Sequence, residues 1–369
     1  MGAAMPIVSF ICAALVLILL PLYWRTRNVA VLSAILWLAI CNIARGINTA
    51  IWIDNSTIKY KVWCDISGRI IIGGNFALPS SIFCICRFLA QVASPRNSLS
   101  SASENRRRMV FDLVMCVVLP MVMIALYHIV QTNRFDIWEE IGCKLPLYKS
   151  VPALFIVYMP TITVSIGALA YAAISLRWFI YRRARVLEVL QSSHSGLSTT
   201  LYLRLIIHSV VQIFYLTALT LLIVITHIIP ELNPWIGWDN VHSDWQRISQ
   251  RGRADIPLFA WRCYLIVWYM VPLSSVIFFC FFGFRQESRE EYVGFFRWVF
   301  RIKPKPSLAP SNSASTDSSF KPPRRVKLPI ETSMLATTQE TSDSDPSTCS
   351  WSSYPKEQPA DARVGFTSP

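Results

Sequence analysis

Charged residues are scarce in this chain: they make up 15% of its 369 residues, whereas an ordinary soluble domain carries about 25%. The charge that is present is mostly basic, and the formal net charge is +13. The basic residues fall in short clusters between apolar runs rather than on one predicted face, which favours a membrane surface over nucleic acid as their partner. The composition excludes an ordinary soluble domain and indicates a membrane protein.

The apolar part of the chain also lacks the reagents that several classes of membrane protein need. No apolar run contains a lysine for a retinal Schiff base, an aspartate pair for proteolysis or a His-Glu-x-x-His motif for zinc hydrolysis. Acidic residues for a proton relay are nearly missing and no internal repeat is visible, so a transporter or channel for small solutes ranks behind a signal receptor. No cysteine or histidine pair has the spacing of metal ligands. We expect no enzyme activity, no cofactor and no metal.

Seven apolar runs are long enough to cross a bilayer, which takes about 20 residues. They are Met5–Tyr23, Val29–Ile53, Cys64–Ala90, Met109–Gln131, Val151–Tyr181, Leu205–Ile229 and Leu258–Phe284. The sequence therefore predicts an all-α membrane protein whose residues 1–284 form a seven-transmembrane helix bundle. No basic residue precedes the first run and no small-x-small cleavage site follows it, so we expect a retained span rather than a signal peptide.

The basic residues also predict the orientation of the bundle. Arg25 and Arg27 follow the first run, which favours an extracellular N-terminus and a cytoplasmic C-terminus in a multi-pass protein of the plasma membrane. The sequon Asn55-Ser56-Thr57 then falls in an outer loop, so Asn55 is a candidate glycosylation site.

Two further segments follow the seventh run. Residues 285–303 mix aromatic and basic residues, which predicts either an amphipathic juxtamembrane helix or an unstructured basic strip at the inner leaflet. Residues 304–369 are rich in Ser and Pro and poor in aromatics, which predicts a disordered cytoplasmic tail.

The third run carries a proline in its interior and an arginine near its inner end. Pro79 is expected to kink the helix and to free a carbonyl, which Ser80, Ser81 or a neighbouring helix would satisfy. Arg87 is expected to extend towards the lipid headgroups. The kink is either a packing feature or a hinge that moves during signalling.

Ionisable and amide side chains inside the runs are costly, so each one is a functional hypothesis. Asn42, Arg45 and Asn48 recur every three residues and lie on one helical face. Asp65 and Arg69 are four residues apart and are expected to pair. With Arg262, near the outer end of the seventh run, these residues predict a polar cavity open to the exterior. Hydrogen bonding between helices without a ligand is the alternative.

A second polar set lies in the cytoplasmic half of the predicted bundle. His208, Gln212 and Tyr215 share one face of the sixth run, and Asp112 lies near the inner end of the fourth. We interpret them as hydrogen-bonded contacts between helices rather than a catalytic cluster, with a gate that opens on activation as the alternative.

The predicted outer loops hold two further features. Cys64 and Cys143 both face an oxidising compartment, so we expect a disulfide between them, with two free thiols as the alternative. The third outer loop contains Trp235, Trp238 and Trp245, which suit either an interfacial belt or contact with an amphiphilic ligand.

Four stretches of the chain resemble one receptor family. They are LPLYWRTRN after the first run, VWCDISGRIIIGGNFALPSSIFCICRFLAQVASPR across the third, RLIIHSVVQIFYLT in the sixth, and VPLSSVIFFCFFGFRQESREEY from the seventh run into the tail. On these stretches the chain resembles the fungal mating pheromone receptors of the a-factor, or lipopeptide, type, which are class D G-protein-coupled receptors. The resemblance covers the apolar body and not the tail.

The resemblance implies a ligand and a partner. The ligand would be a short peptide with a farnesylated, methyl-esterified C-terminal cysteine, and the inner loops would activate a heterotrimeric G protein. Cys86-Arg87-Phe88 stands where animal receptors have Asp-Arg-Tyr, and the seventh run has no Asn-Pro-x-x-Tyr, so the activation switch is not assigned. Neither the cognate pheromone nor the oligomeric state, including a homodimer, follows from the sequence.

We expect these two partners to contact two sets of residues. The candidate ligand-binding residues on the outer side are Arg45, Asn48, Arg69, Trp235, Trp238, Trp245 and Arg262. The candidate G-protein-coupling residues on the cytoplasmic side are Arg87, Arg96, Arg106, Arg107, Arg108, Arg182, Arg183 and Arg185.

Overall fold

The computed structural model describes residues 3–26, 28–94, 102–181 and 199–283, and seven of its helices are long and apolar enough to cross a membrane. In chain order they are α1 (Ala4–Trp24), α2 (Val29–Ile51), α3 (Lys61–Ala93), α4 (Ser103–Val130), α5 (Val151–Tyr181), α6 (Tyr202–Glu231) and α7 (Leu258–Phe282). The predicted seven-helix bundle is confirmed. The predicted juxtamembrane segment, residues 285–303, and the predicted tail, residues 304–369, lie outside the described residues.

Helix α3 occupies the centre of the bundle, where it packs against α2, α4, α5 and α6. Gly74 of α3 faces the thiol of Cys41 on α2 so closely that a Cβ would not fit between the helices. Helices α4, α5 and α6 instead turn large apolar side chains outward, as at Ile166 and Phe214, which are 60% and 70% exposed. Such a surface suits lipid as its solvent.

Helix α4 begins earlier than the sequence indicated. The fourth run was predicted from Met109, but α4 begins at Ser103, so Arg106, Arg107 and Arg108 lie on its first two turns and their placement in a loop was wrong. Arginine is a good helix former, and Glu104 in the first turn complements the helix dipole. Hydrophobicity marks the membrane-embedded part of a helix rather than its end.

Three helices widen into a five-residue π-helical segment just before a proline. The segments are Val114–Val118, Leu154–Tyr158 and Val224–Ile228, and they precede Pro120, Pro160 and Pro230. Proline has no N–H to donate, and its ring clashes with the carbonyl four residues earlier. The wider π turn is one of the accommodations available to a helix that continues through a proline.

Two of the carbonyls that prolines free accept hydrogen bonds from side chains of α2. Pro120 frees the carbonyl of Cys116, which accepts hydrogen bonds from the indole N–H of Trp37 at 3.0 Å and from the Ser33 hydroxyl at 3.4 Å. Pro272, inside α7, frees the carbonyl of Trp268, which accepts a hydrogen bond from Nη1 of Arg45 at 2.9 Å. These bonds join α2 to α4 and α7.

Pro79 lies inside α3, which stays helical from Lys61 to Ala93. The Ser81 hydroxyl donates to the Ala77 carbonyl at 2.8 Å rather than to the carbonyl of Asn75 that the proline frees. The Ser80 hydroxyl is buried and has no hydrogen-bond partner among the described residues. The expected role of these two serines is therefore not seen.

A three-stranded sheet, which the sequence analysis does not predict, covers one end of the bundle. Its strands are β1 (Phe135–Trp138), β2 (Gly142–Lys144) and β3 (Ile248–Arg251), in the order β2-β1-β3. Strands β1 and β2 form an antiparallel hairpin in the α4–α5 loop, whereas β3 comes from the α6–α7 loop and runs parallel to β1. We call this end of the bundle the sheet end and the other the opposite end.

The hairpin turn approaches α2 at a glycine. Gly142 has a φ of +84°, and a Cβ built there would lie 2.8 Å from the Cβ of Asn48. Glycine is the residue that tolerates both the positive φ and the close approach. The sheet is thereby seated directly on the end of α2.

Candidate functional site

A cavity of about 850 Å³ lies beneath the sheet. Its walls come from α2, α3, α5, α6 and α7, and the sheet forms its roof. Its polar lining includes Arg45, Asn48, Asn75, Asp136, Lys144, Tyr158, Thr161, Arg251 and Tyr264. This volume is in the range of sites for small molecules and short peptide segments.

Strands β1 and β3 line the cavity with alternate residues, because successive side chains of a strand point to opposite faces. Asp136 and Trp138 of β1 line it, as do Lys144 of β2 and Arg251 of β3. The Lys144 ammonium lies 4.5 Å from the ring centre of Trp138 and 3.8 Å from that of Tyr264 on α7. Cation–π contacts thus join the roof to α7.

Asp136 is the acidic group of the roof. Burial raises the pKa of its carboxyl, whereas a hydrogen bond from Nδ2 of Asn133, 2.8 Å long, and the charges of Lys144, Arg251 and Arg247 act in the opposite direction. The roof therefore combines one carboxyl group with several cations.

The floor of the cavity is built on the polar face of α2. Asn42, Arg45 and Asn48 are all buried, with exposures of 0%, 6% and 1%. Asn42 donates to the Ser275 hydroxyl of α7 at 2.8 Å, and the side-chain carbonyl of Asn48 accepts from the indole N–H of Trp63 at 2.7 Å. Nε of Arg45 has no hydrogen-bond partner among the described residues, and no carboxylate there pairs with its guanidinium. A buried cation thus lies at the cavity wall, with no counter-ion in the described part of the chain.

The predicted pairing of Asp65 with Arg69 is wrong. The Asp65 carboxylate pairs with Arg134 of the α4–α5 loop, through Nη2 at 2.6 Å and Nε at 3.2 Å. This hydrogen bonding raises the pKa of the Arg134 guanidinium. Within the described residues, Arg69 donates only to the main-chain carbonyl of Asp65, at 3.2 Å. A two-point contact with a planar guanidinium displaces the local pair.

A disulfide joins Cys64 at the start of α3 to Cys143 on β2, with a Cα–Cα distance of 5.2 Å. It anchors the roof to α3 beside the Asp65–Arg134 pair. Asn55 lies at the same end in the α2–α3 loop, where its side-chain carbonyl accepts from the Thr57 hydroxyl at 2.7 Å.

The other predicted ligand-binding residues do not line the main cavity. Arg69 lines a second cavity of about 350 Å³ between α3 and α4. Arg262 is exposed on α7, and Trp235 packs against Tyr148 with ring centres 6.1 Å apart. Of the predicted set, therefore, only Arg45 and Asn48 line the main cavity.

Trp238 and Trp245 pack with two histidines at the sheet end. The ring of Trp238 stacks on that of His242 at 3.9 Å, and the ring of Trp245 meets that of His128 edge-on at 4.6 Å. Nε2 of His242 lies 3.0 Å from the carbonyl of His128 at the end of α4. This cluster connects the α6–α7 loop to α4.

At the opposite end, Arg87 lies between α3 and α4. Its guanidinium is 4.0 Å from the Asp112 carboxylate and 4.0 Å from the ring centre of Phe111. Arg108 lies over the ring of Phe88 at 4.4 Å. Arg87 thus contacts protein rather than extending freely to headgroups.

The remaining residues of the predicted coupling set divide in two. Arg106 and Arg107 are exposed on the first turns of α4. Arg96, Arg182, Arg183 and Arg185 lie outside the described residues.

The predicted hydrogen-bonded contact through His208 is wrong. His208 is buried among the rings of Phe278, Phe281 and Phe282, with centre distances of 5.0 to 5.7 Å. Neither of its nitrogens has a hydrogen-bond partner among the described residues. His208 therefore packs against α7 and forms no hydrogen bond within the described residues.

The chain is similar to known receptors over most of its length. Residues 4–302 match the family described as Pheromone A receptor. The pheromone B beta 1 receptor of Schizophyllum commune is 42% identical over 288 residues, which cover 77% of this chain and 53% of that protein. Pheromone receptor 2 of Mycosarcoma maydis is 30% identical over 278 residues, which cover 75% of this chain and 80% of that protein. The pheromone a factor receptor of Saccharomyces cerevisiae is 24% identical over 300 residues, which cover 79% of this chain and 62% of that protein. The chain spans about half the length of the Schizophyllum commune relatives it matches.

Proposed function

The chain belongs to the pheromone A receptor family, and from this premise we propose that it is a G-protein-coupled receptor for a prenylated peptide mating pheromone. The observation that carries the proposal is the roofed cavity of about 850 Å³, which offers both a polar part and an apolar wall. An amphiphilic peptide needs both environments. Arg45 and Lys144 are donors for peptide carbonyls or an ester group in the polar part.

The apolar wall supports a lateral path for the prenyl chain. Leu222 of α6 and Ile266 of α7 line the cavity, and each is 46% exposed. Both lie eight or nine residues from the sheet end of their helices, which is roughly 12 to 14 Å into the bilayer at 1.5 Å per residue. We infer that the prenyl chain passes between α6 and α7 from the leaflet at the sheet end, while the peptide lies under the roof.

The orientation that we propose places the sheet end outside the cell and the opposite end in the cytoplasm of a plasma-membrane protein. A disulfide suits an oxidising compartment, and Asn55 of the sequon lies at the same end. Exposed Arg106 and Arg107 lie at the opposite end, as basic residues of a cytoplasmic surface would. Accessibility labelling of tags at both termini in intact cells tests this: labelling of both tags from one side would contradict it.

A heterotrimeric G protein is the proposed partner of the opposite end. A ligand with higher affinity for the active arrangement of helices would shift the population towards it, and the G protein would bind the opened surface. Charge reversal at Arg182, Arg183 and Arg185 should abolish coupling while surface expression and ligand binding persist. Unchanged signalling in this triple variant would show that the segment does not contact the G protein. Cross-linking in the same membranes tests whether the chain also forms homodimers.

The decisive experiment is a reporter assay in a pheromone-responsive host that lacks its own receptor. Cells that express the chain are challenged with candidate peptides in prenylated and unprenylated forms. We expect a response to the prenylated form alone, and nucleotide exchange on the G protein in isolated membranes. Equal responses to both forms would contradict the proposed ligand class.

Two tryptophan substitutions on α7 test the lateral path. Ile266→Trp fills the cavity wall and should weaken the response to the prenylated peptide, whereas Leu273→Trp, at a position that is 44% exposed and does not line the cavity, should leave it unchanged. Equal effects of the two substitutions would contradict a path between α6 and α7.

A further inference from the structure

We propose that the second cavity, of about 350 Å³ between α3 and α4, binds one phospholipid of the leaflet at the sheet end, with its phosphate at Arg69. The proposed pheromone site shares only the wall residues Ile72, Tyr127 and Leu145 with this groove. Its lining combines Arg69, His128 and Gln131 at one end with an apolar trough, which is the pattern that a headgroup phosphate and an acyl chain require.

Arg69 has no acidic partner among the described residues. The carboxylate of Asp65, one turn away, is bound by Arg134 through three N–O contacts of 2.6 to 3.2 Å. Arg69 is exposed, and its only hydrogen bond among the described residues goes to a main-chain carbonyl, which carries no net charge. An arginine near a membrane surface without an acidic partner favours phosphate, which it binds in a two-point geometry.

The apolar part of the groove continues from Arg69 towards the middle of the bundle. Ile72 of α3 and Met121, Ile124 and Ala125 of α4 line it. Met121 lies nine residues from the end of α4 at Val130, or roughly 14 Å at 1.5 Å per residue, which is close to half of a hydrocarbon core of about 30 Å. The apolar lining therefore reaches about the depth at which an acyl chain of one leaflet ends.

The groove also adjoins the main cavity. Ile72, Tyr127 and Leu145 line both cavities, and the Tyr127 hydroxyl donates to the Leu145 carbonyl at 3.2 Å within this shared wall. A lipid on one side and a ligand on the other would both contact these three residues. Any effect of lipid on ligand affinity must be matched by an equal effect of ligand on lipid affinity.

Native mass spectrometry of the full chain in non-ionic detergent tests the site without any pheromone. The protein is titrated with phosphatidylglycerol, with the diacylglycerol that has the same acyl chains, and with inorganic phosphate. We expect phosphatidylglycerol to bind first and most tightly, and Arg69→Gln to weaken this first binding by about tenfold, the loss expected for a charged hydrogen bond. Arg262→Gln, which removes an exposed arginine at the same end of α7, should not change it.

A second pair of variants tests the trough and leaves the charge intact. Ala125 and Val122 are both exposed on α4, but only Ala125 lines the groove. Ala125→Phe should weaken phosphatidylglycerol binding, whereas Val122→Phe should not. The proposal is overturned if the two arginine variants weaken binding equally, if the two phenylalanine variants do, or if diacylglycerol or inorganic phosphate binds as tightly as the phospholipid. None of these results depends on the receptor activity, so the two proposals fail separately.

Discussion

Replacing Pro272 with alanine should make the bundle less dependent on Arg45. The proline leaves the carbonyl of Trp268 without its partner within α7, and Nη1 of Arg45 donates to that carbonyl at 2.9 Å across the helix interface. Alanine at position 272 restores a main-chain N–H that can reach the same carbonyl. The two residues should therefore be energetically coupled although they lie on different helices.

The interaction energy between the two substitutions depends on whether the Trp268 carbonyl keeps a hydrogen-bond donor in each variant. Arg45→Met removes the donor, and while Pro272 is present it leaves the Trp268 carbonyl buried without this hydrogen bond, which is unfavourable by about 1–3 kcal/mol. In the Pro272→Ala background the helix supplies a donor, so the same substitution leaves no acceptor unpaired. We expect an interaction energy of about 1–2 kcal/mol, with Arg45→Met more destabilising in the wild-type background.

A double-mutant cycle measures this coupling. The wild type, both single variants and the double variant are unfolded in mixed micelles with increasing mole fraction of a denaturing detergent, and the folded fraction is followed by circular dichroism. The control cycle pairs Pro272→Ala with Arg262→Met, because Arg262 is exposed on the same helix and lies about 15 Å along it. The control pair should be additive within about 0.5 kcal/mol. An equally small interaction energy for Arg45 would refute the assignment of the proline-freed carbonyl.

Three further predictions concern the disulfide, the roof and the opposite end. Cys64→Ser should lower the free energy of unfolding by about 2–5 kcal/mol, because the bridge closes a loop of 79 residues; adding Cys143→Ser should lower it no further, as thermal unfolding in detergent would show. Burial raises the pKa of Asp136. The contribution of this carboxyl to the stability of the fold is therefore present below the ordinary aspartate pKa and is lost as pH rises through the raised value. In Asp136→Asn this loss should be absent, as a series of unfolding midpoints at different pH would show. Asp112→Asn removes the carboxylate 4.0 Å from Arg87 and should raise basal nucleotide exchange several-fold at unchanged surface expression; unchanged basal exchange would show that this pair does not restrain the receptor.

The seven spans could be predicted because bilayer thickness fixes the length of an apolar run, and no long-range information is needed. The ends of the helices could not be predicted, because helices continue past the apolar run. Arg106 and Arg107 are polar and are nevertheless helical. Each π segment precedes a proline, but Pro79 and Pro272 lie in helices without one, so proline alone does not predict where a helix widens.

The cavity could be predicted only where its residues share one helix. Three-residue spacing on α2 placed Arg45 and Asn48 on one buried face, and both line the cavity. The roof depends on β1 pairing with β3, which joins Phe135 to Ile248 across 113 positions of sequence, and a parallel pair has no local turn signal. Phe135-Asp136-Ile137-Trp138 does not alternate strictly between apolar and polar residues, so β1 carries only a weak local strand signal.

The same distance effect explains the wrong pairing of Asp65. Spacing along a helix ranks Arg69 as the nearest cation, but it carries no information about Arg134, which lies 69 positions away and makes a two-point contact. Local rules therefore fail where a loop folds back onto a helix end.

The parallel contact between β1 and β3 has a mechanical consequence. It links the α4–α5 connection, which Cys64 and Asp65 fasten to α3, with the α6–α7 connection. Neither loop can move away from the bundle alone without breaking the backbone hydrogen bonds between β1 and β3. The width of the cavity opening is therefore set by the distance between the α4–α5 pair and the α6–α7 pair. A ligand that moves α6 and α7 apart would strain the hydrogen bonds between β1 and β3 that keep the roof closed.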